Sequence, residues 1–223
     1  MESTKEVAVA NHPAIYGIAL IVGALGGVVT MALHPTGHDL LATASEVARR
    51  NEQVTVATHS IALMALPILL FGFLGLSRRL GINRALVSAA LIAYAFGLIA
   101  AMCATVLNGL VAPTLTRQIL TSDDATRQHL QVVLMNNDLL NQAFSKIYLT
   151  ASSIAVILWS IAMFNVSRFA KWIGLAGCLF AFGFLALFFA GHLRLNVHGF
   201  GLFIFAQSLW TILVGVFSMS LQR

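Results

Sequence analysis

The sequence carries very little charge for its length. Only 9% of its 223 residues are charged, and 59% are hydrophobic. A soluble domain has about 25% charged residues and about 45–50% apolar ones. Because so few charges cannot cover a surface that faces water, the composition argues against an ordinary soluble protein. We expect lipid to be the main solvent of this chain.

Known catalytic and cofactor motifs are also missing from the sequence. It contains no phosphate-binding glycine loop, no Cys-x-x-Cys pair and no Gly-x-Ser-x-Gly. The two cysteines, Cys103 and Cys178, both lie inside apolar runs, which argues against a disulfide framework. The net charge of +5 does not indicate nucleic acid, because the basic residues are scattered among short loops and form no patch.

Six apolar runs are long enough to cross a membrane. About 20 helical residues span the hydrocarbon core of roughly 30 Å. We predict an all-α polytopic membrane helix bundle, a single domain over residues 1–223 in contact with the lipid bilayer. The predicted spans are residues 13–33, 54–76, 86–109, 147–166, 172–191 and 199–220.

Two polar segments at the ends of these spans also have helical periodicity. Residues 40–51 predict a short amphipathic helix at the membrane interface. Thr121 and Asp124 resemble a capping box, with a hydroxyl at the cap and a carboxylate three residues later. The segment 123–145 then continues into the fourth span, and its apolar positions are a candidate docking surface for a protein partner.

The distribution of arginine and lysine predicts the orientation. The loops after the second and fourth spans are short and basic, and an even number of spans places them on the same side as both termini. The positive-inside rule puts that side in the cytoplasm. We therefore expect a multi-pass protein of a bacterial-type inner membrane with both termini cytoplasmic. The basic residues in these two loops are Arg78, Arg79, Arg84, Arg168 and Lys171.

Six of the seven histidines fall on the opposite, outer side in this topology. The first span ends in the sequence His-Pro-Thr-Gly-His-Asp, which places His34, His38 and Asp39 together. His59 lies about one turn inside the second span, and the turn between the fifth and sixth spans carries His192 and His198. The longer outer loops make part of this bias expected by chance.

Neutral imidazole is the commonest ligand of zinc, copper and other divalent transition metals. We therefore expect a metal site at the outer face, with zinc or copper as the ion. The expected ligands are His34, His38, His59, His192 and His198. The first or second of these, together with His59 and His192, should share one pocket. Asp39 or Asp138 would then be the base that takes a proton from metal-bound water, which could serve hydrolysis of a membrane or periplasmic substrate.

Three other interpretations compete with the metal site. The first is a b-type haem or quinone site for electron transfer, with His59 and His192 as axial ligands. The second is a scaffold or accessory subunit whose histidines lie at the level of the lipid headgroups. The third is a transporter, which is disfavoured because no carboxylate occupies the middle of a span.

Overall fold

The computed structural model describes residues 13–34 and 44–220. No strand occurs in these two ranges. The chain forms α1 (Pro13–Leu33), α2 (Ala44–Leu80), α3 (Ala85–Val106), a π-helix (Leu107–Val111), α4 (Ala112–Thr121), α5 (Asp124–Met163), α6 (Arg168–Phe189) and α7 (Val197–Ser220).

The predicted all-helical membrane bundle is confirmed. Six helical stretches in the described ranges are long and apolar enough to cross a membrane. In lipid, a helix satisfies its backbone hydrogen-bonding groups within one segment, which is why long apolar runs adopt this structure. The stretches are Ala14–Leu33, Glu52–Leu80, Ala85–Thr121, Asp124–Met163, Arg168–Phe189 and Val197–Ser220.

The second span begins earlier than its apolar run. From Ala44, the segment predicted as a separate amphipathic helix over residues 40–51 forms the first turns of α2, and residues 40–43 lie outside the described ranges. No proline or glycine interrupts residues 44–53, so nothing ends the helix between the two segments. Pro67 lies inside α2, and the helix continues through it.

The third span also runs further than predicted. Asn108 and Gly109 do not end it, because they lie in the π-helix that leads directly into α4. This stretch and α5 form a helical hairpin. The 40 residues of α5 alone measure about 60 Å, twice the thickness of the hydrocarbon core.

The N-cap of α5 is Asp123 rather than Thr121. Its carboxylate accepts a hydrogen bond of 2.9 Å from the Thr126 backbone N–H, whereas the Thr121 hydroxyl donates within the preceding turn. The bond from Thr126 holds the pKa of the Asp123 carboxyl below its usual value.

Helix α1 packs between α2 and α7, while α5 packs between α3 and α6. The contact between α1 and α2 is close because glycines lie on both helices. Gly23 of α1 faces Leu69, and Gly72 of α2 faces Leu20. Gly27 instead faces α7, at ordinary contact distance from Ile204 and Ser208. Small residues at a helix interface allow the backbones to approach, and dispersion then holds the helices together in lipid.

The two ends of the bundle differ in their polar residues. We call the end that holds His34 and His59 the histidine end, and the other end, which holds Arg78 and Arg79, the arginine end. At the arginine end, Arg78 donates to the Tyr16 hydroxyl at 2.8 Å, and Arg79 donates to the Ser218 carbonyl.

An aromatic cluster fills the bundle between its centre and the arginine end. The Phe73 and Trp159 rings stack with centroids 4.5 Å apart, and the Tyr94 ring lies 4.4 Å from Phe73. All three side chains are fully or almost fully buried. The Trp159 indole N–H donates to the Ser77 hydroxyl, so its polar atom is satisfied inside the apolar core.

The α1–α2 contact predicts a difference between two glycine-to-alanine substitutions. A Cβ added at Gly72 would lie 2.7 Å from the Leu20 Cγ atom and 2.9 Å from its backbone nitrogen, whereas one added at Gly183 meets nothing within 4 Å. We expect Gly72→Ala to lower the stability by about 1–3 kcal/mol. Gly183→Ala should be neutral or stabilising by up to about 1 kcal/mol, because alanine favours helix. Thermal unfolding in detergent measures the stability of both variants. Equal effects would contradict the close approach of α1 and α2.

Candidate functional site

A cavity of about 360 Å³ lies in the middle of the bundle, on the histidine side of the aromatic cluster. It is lined by α1, α2, α3, the π-helix, α5, the α6–α7 connection and α7. The lining runs from His59 to Leu69 along α2, which corresponds to a depth of about 15 Å. The cavity therefore extends from the histidine end about halfway through the bundle.

Polar side chains from five parts of the chain form the rim of this cavity. They are His34, His59, Asn108, Asp138 and Asn196. Two of them are exposed, Asp138 and Asn196. The rim therefore combines imidazoles, amides and one carboxylate.

His59 is the most constrained residue of the rim. Its side chain is 5% exposed, and its Nδ1 atom lies 2.8 Å from the Thr55 carbonyl oxygen. This geometry assigns the ring proton to Nδ1, which donates to that carbonyl and leaves Nε2 as an acceptor. The Asn108 side-chain amide donates to Nε2 at 3.3 Å. The His34 ring meets the His59 ring edge-on, with centroids 5.3 Å apart.

The π-helix brings Asn108 to this histidine. A π-helix adds one residue to a turn, and such insertions are frequent at functional sites. Gly109, in the same turn, packs against the His59 side chain so closely that a Cβ would collide with the His59 Cβ. The buried Asn137 side chain of α5 donates to the Leu107 carbonyl at 3.1 Å. The packing of Gly109 against His59 and the hydrogen bond from Asn137 thus hold the π-helix in place from two sides.

Below the rim, small apolar residues line the cavity, and deeper in the bundle its lining contains buried polar residues that form a floor. Ala62, Ala101 and Ala104 are among the residues of the apolar part, which we call the waist. The floor contains buried tyrosine, glutamine and hydroxyl side chains, and the Tyr148 hydroxyl donates to Gln207 Oε1 at 3.2 Å. The polar residues of the floor are Tyr94, Tyr148, Gln207, Ser208 and Thr211.

The structure brings together three of the residues predicted for the site. His34, His59 and Asp138 line the same cavity. His192 and His198 are exposed and do not line it, so the pocket predicted for three histidines forms without His192. Helix α6 ends at Phe189 and the chain turns at Gly191, which leaves His192 in the connection to α7. His38 and Asp39 lie outside the described residues.

The described ranges hold no group of three His, Cys, Asp or Glu side chains placed to share a metal ion. The two imidazoles are close, but the contacts of His59 within these ranges are to an amide, a carbonyl and the other imidazole.

Sequence reasoning missed the amide and carbonyl partners of His59. From the sequence alone, Asn108 and Gly109 predict the end of a helix, because an Asn-Gly pair is typical of a turn. Tyr148 and Gln207 are single polar residues in long apolar runs, and only packing shows that they meet. The sequence did contain one indication of these two residues, since a polar residue inside a membrane span is a candidate functional residue by default.

No protein-family model, no curated protein and no solved structure matches the chain.

The contact between His59 and Gly109 predicts the effect of one methyl group. Gly109→Ala should displace the His59 ring and break its bond to Asn108, whereas Gly27→Ala, also in the cavity wall, adds a Cβ at an ordinary 3.5 Å from its neighbours. The imidazole nitrogen signals of ¹⁵N-labelled protein in nanodiscs report the tautomer and the bonds of His59. Only Gly109→Ala should shift them, and an unchanged spectrum would contradict the proposed role of the glycine.

Proposed function

We propose that the protein binds a divalent transition metal, zinc or copper, at the rim of the cavity through His34 and His59. The observation that carries this proposal is the contact of the two imidazoles, with ring centroids 5.3 Å apart. Two imidazoles bound to one tetrahedral ion at about 2.1 Å have ring centres roughly 5 Å apart. The two rings thus already have a separation suited to a shared ion.

The hydrogen bond from His59 to Thr55 favours the same interpretation. Histidines that bind metals usually donate their second ring N–H to a carbonyl or carboxylate, which orients the ring. His59 donates through Nδ1 to the Thr55 carbonyl and directs Nε2 toward Asn108. An ion at Nε2 would take the place of the Asn108 amide.

Two ligands do not complete a site, so further ligands are needed. The chain continues from His34 into Pro35-Thr36-Gly37-His38-Asp39, which supplies an imidazole and a carboxylate only four and five residues away. Asp138 lines the same cavity at its rim. A catalytic site has about three protein ligands and one open position for water or substrate. Hydrolysis would then use Asp39 or Asp138 as the base that takes a proton from metal-bound water.

Metal analysis of histidine variants tests this proposal. Protein purified in detergent without chelator should hold about one metal ion per chain, measured by elemental analysis. His34→Ala and His59→Ala should each weaken binding by at least about a hundredfold, because each removes a direct ligand, and losing even an outer partner costs about 10–100-fold. His38→Ala and Asp39→Ala identify the remaining ligands.

His192→Ala and His198→Ala are the matched controls. Both residues belong to the histidine end but lie exposed outside the cavity. They should bind the metal as the wild type does. Protein without metal, or metal retained in the His34/His59 double variant, would overturn the proposal.

The absorption spectrum of the same samples decides between the metal and the haem alternative. An intense Soret band would indicate haem. Of the axial pair predicted for haem, only His59 lines the cavity, whereas His192 is exposed in the connection between α6 and α7. Protein without metal and without colour would favour the scaffold alternative. In the scaffold alternative, the candidate docking surface for a protein partner is the exposed row Val132, Met135 and Leu139 of α5.

We further propose that the histidine end faces the periplasm of a bacterial-type cell and that both termini are cytoplasmic. The short loops at the arginine end carry Arg78, Arg79, Arg84, Arg168 and Lys171, as the positive-inside rule requires of a cytoplasmic side. In a variant without native cysteines, a cysteine at Met135 should react with a membrane-impermeant maleimide added to intact cells, and one at Phe169 should not. The reverse labelling pattern would contradict this orientation and indicate the opposite one.

A further inference from the structure

The floor of the cavity holds several polar side chains that are nine-tenths or more buried. Gln207 is 4% exposed, Tyr94 1% and Ser208 6%. Such groups cost free energy in an apolar environment unless they form hydrogen bonds, and most buried polar groups in proteins do. Their position about halfway through a membrane bundle makes the cost larger than at a surface.

Part of this floor has no hydrogen-bond partner among the residues that the structure describes. Gln207 Oε1 accepts from the Tyr148 hydroxyl, but no described residue accepts from the Gln207 amide N–H groups. The Tyr94 and Ser208 hydroxyls likewise have no partner in the same ranges, although all three residues line the cavity. The free donors therefore lie at the bottom of a cavity that is large enough for a small molecule.

The charges around the cavity limit what that molecule is. No lysine or arginine is among the described lining residues, so an anionic head such as a phosphate would find no cation there. Alanine, glycine and leucine residues line the waist, and they suit an apolar body. The unused amide and hydroxyl donors of the floor require an acceptor oxygen on the ligand.

We infer that the cavity binds an uncharged lipophilic molecule whose carbonyl oxygen accepts hydrogen bonds from Gln207 and Tyr94 at the floor. The apolar body of the molecule lies in the waist, between Ala62 of α2 and Ala101 and Ala104 of α3. Beyond Tyr94, the stacked and fully buried Phe73 and Trp159 rings fill the bundle, so the ligand would bind at the floor and not pass through. This inference does not rest on the metal at the rim.

Decylubiquinone, an uncharged quinone ring with a ten-carbon tail, is a suitable probe of this class. Dodecylbenzene matches its apolar character without a carbonyl, and dodecyl phosphate replaces the carbonyl by an anion. We expect one-to-one, saturable binding of decylubiquinone in nanodiscs, at least about tenfold tighter than dodecylbenzene. A tenfold difference corresponds to one net hydrogen bond of about 1.4 kcal/mol.

Three variants locate the binding. Gln207→Leu removes the donor. It should weaken the binding of decylubiquinone about tenfold and leave the binding of dodecylbenzene unchanged. Ser153→Ala is the matched control, because Ser153 is as deeply buried and its hydroxyl has no described partner, yet it lies outside the cavity. Ala62→Phe fills the waist and should abolish binding. Thermal unfolding establishes that each variant is folded.

Several results would overturn the inference. They are equal affinity for the quinone and the hydrocarbon, preferred binding of the phosphate, equal losses in Gln207→Leu and Ser153→Ala, or unchanged binding in Ala62→Phe. Absence of saturable binding would mean that water alone satisfies the floor. Each titration is repeated with chelator and in the His34/His59 double variant, so that failure of the metal proposal remains separate from failure of this one.

Discussion

The candidate site depends on the close approach of His59 to Gly109. In a helix bundle, a side chain as large as imidazole ordinarily keeps two backbones apart. Here the absence of a Cβ at position 109 lets the histidine lie against the opposing turn. The same π-helix presents Asn108 to the histidine ring, and the Thr55 carbonyl fixes the opposite side of that ring. A polar group in a membrane bundle is thereby satisfied on both nitrogens by hydrogen bonds within the described ranges.

The remaining polar side chains follow the same constraint. A lipid-facing bundle gains little from the hydrophobic effect between its helices, so its packing depends on dispersion and on small residues such as Gly23 and Gly72. A polar side chain costs free energy wherever neither water nor a hydrogen-bond partner reaches it. Many of the buried polar side chains accordingly line the rim and the floor of one cavity, whereas buried serines such as Ser152 and Ser153 lie outside it. The aromatic cluster fills the bundle on the arginine side of the floor.

The two proposals concern different ends of this cavity and use different chemistry. At the rim, imidazole nitrogens offer lone pairs to a metal ion. At the floor, amide and hydroxyl hydrogens offer donors to an uncharged oxygen. A molecule bound at the floor would extend toward His34 and His59, so a metal at the rim would lie near its outer part. Neither proposal depends on the other, and their tests separate them.

The sequence by itself determined the helical class and the six spans, because these follow from apolar run length. It also predicts, from the alternation of direction between spans, that six histidines fall on one side. It did not determine which histidines meet. His34 and His59 converge across the α1–α2 contact, whereas His192 stands in an exposed connection. The length of α2, the π-helix at Asn108 and the pairing of Tyr148 with Gln207 were also decided by tertiary structure. The physical reason is that hydropathy records only the tendency of a residue to enter lipid, whereas a site requires particular side chains from distant helices to face one another.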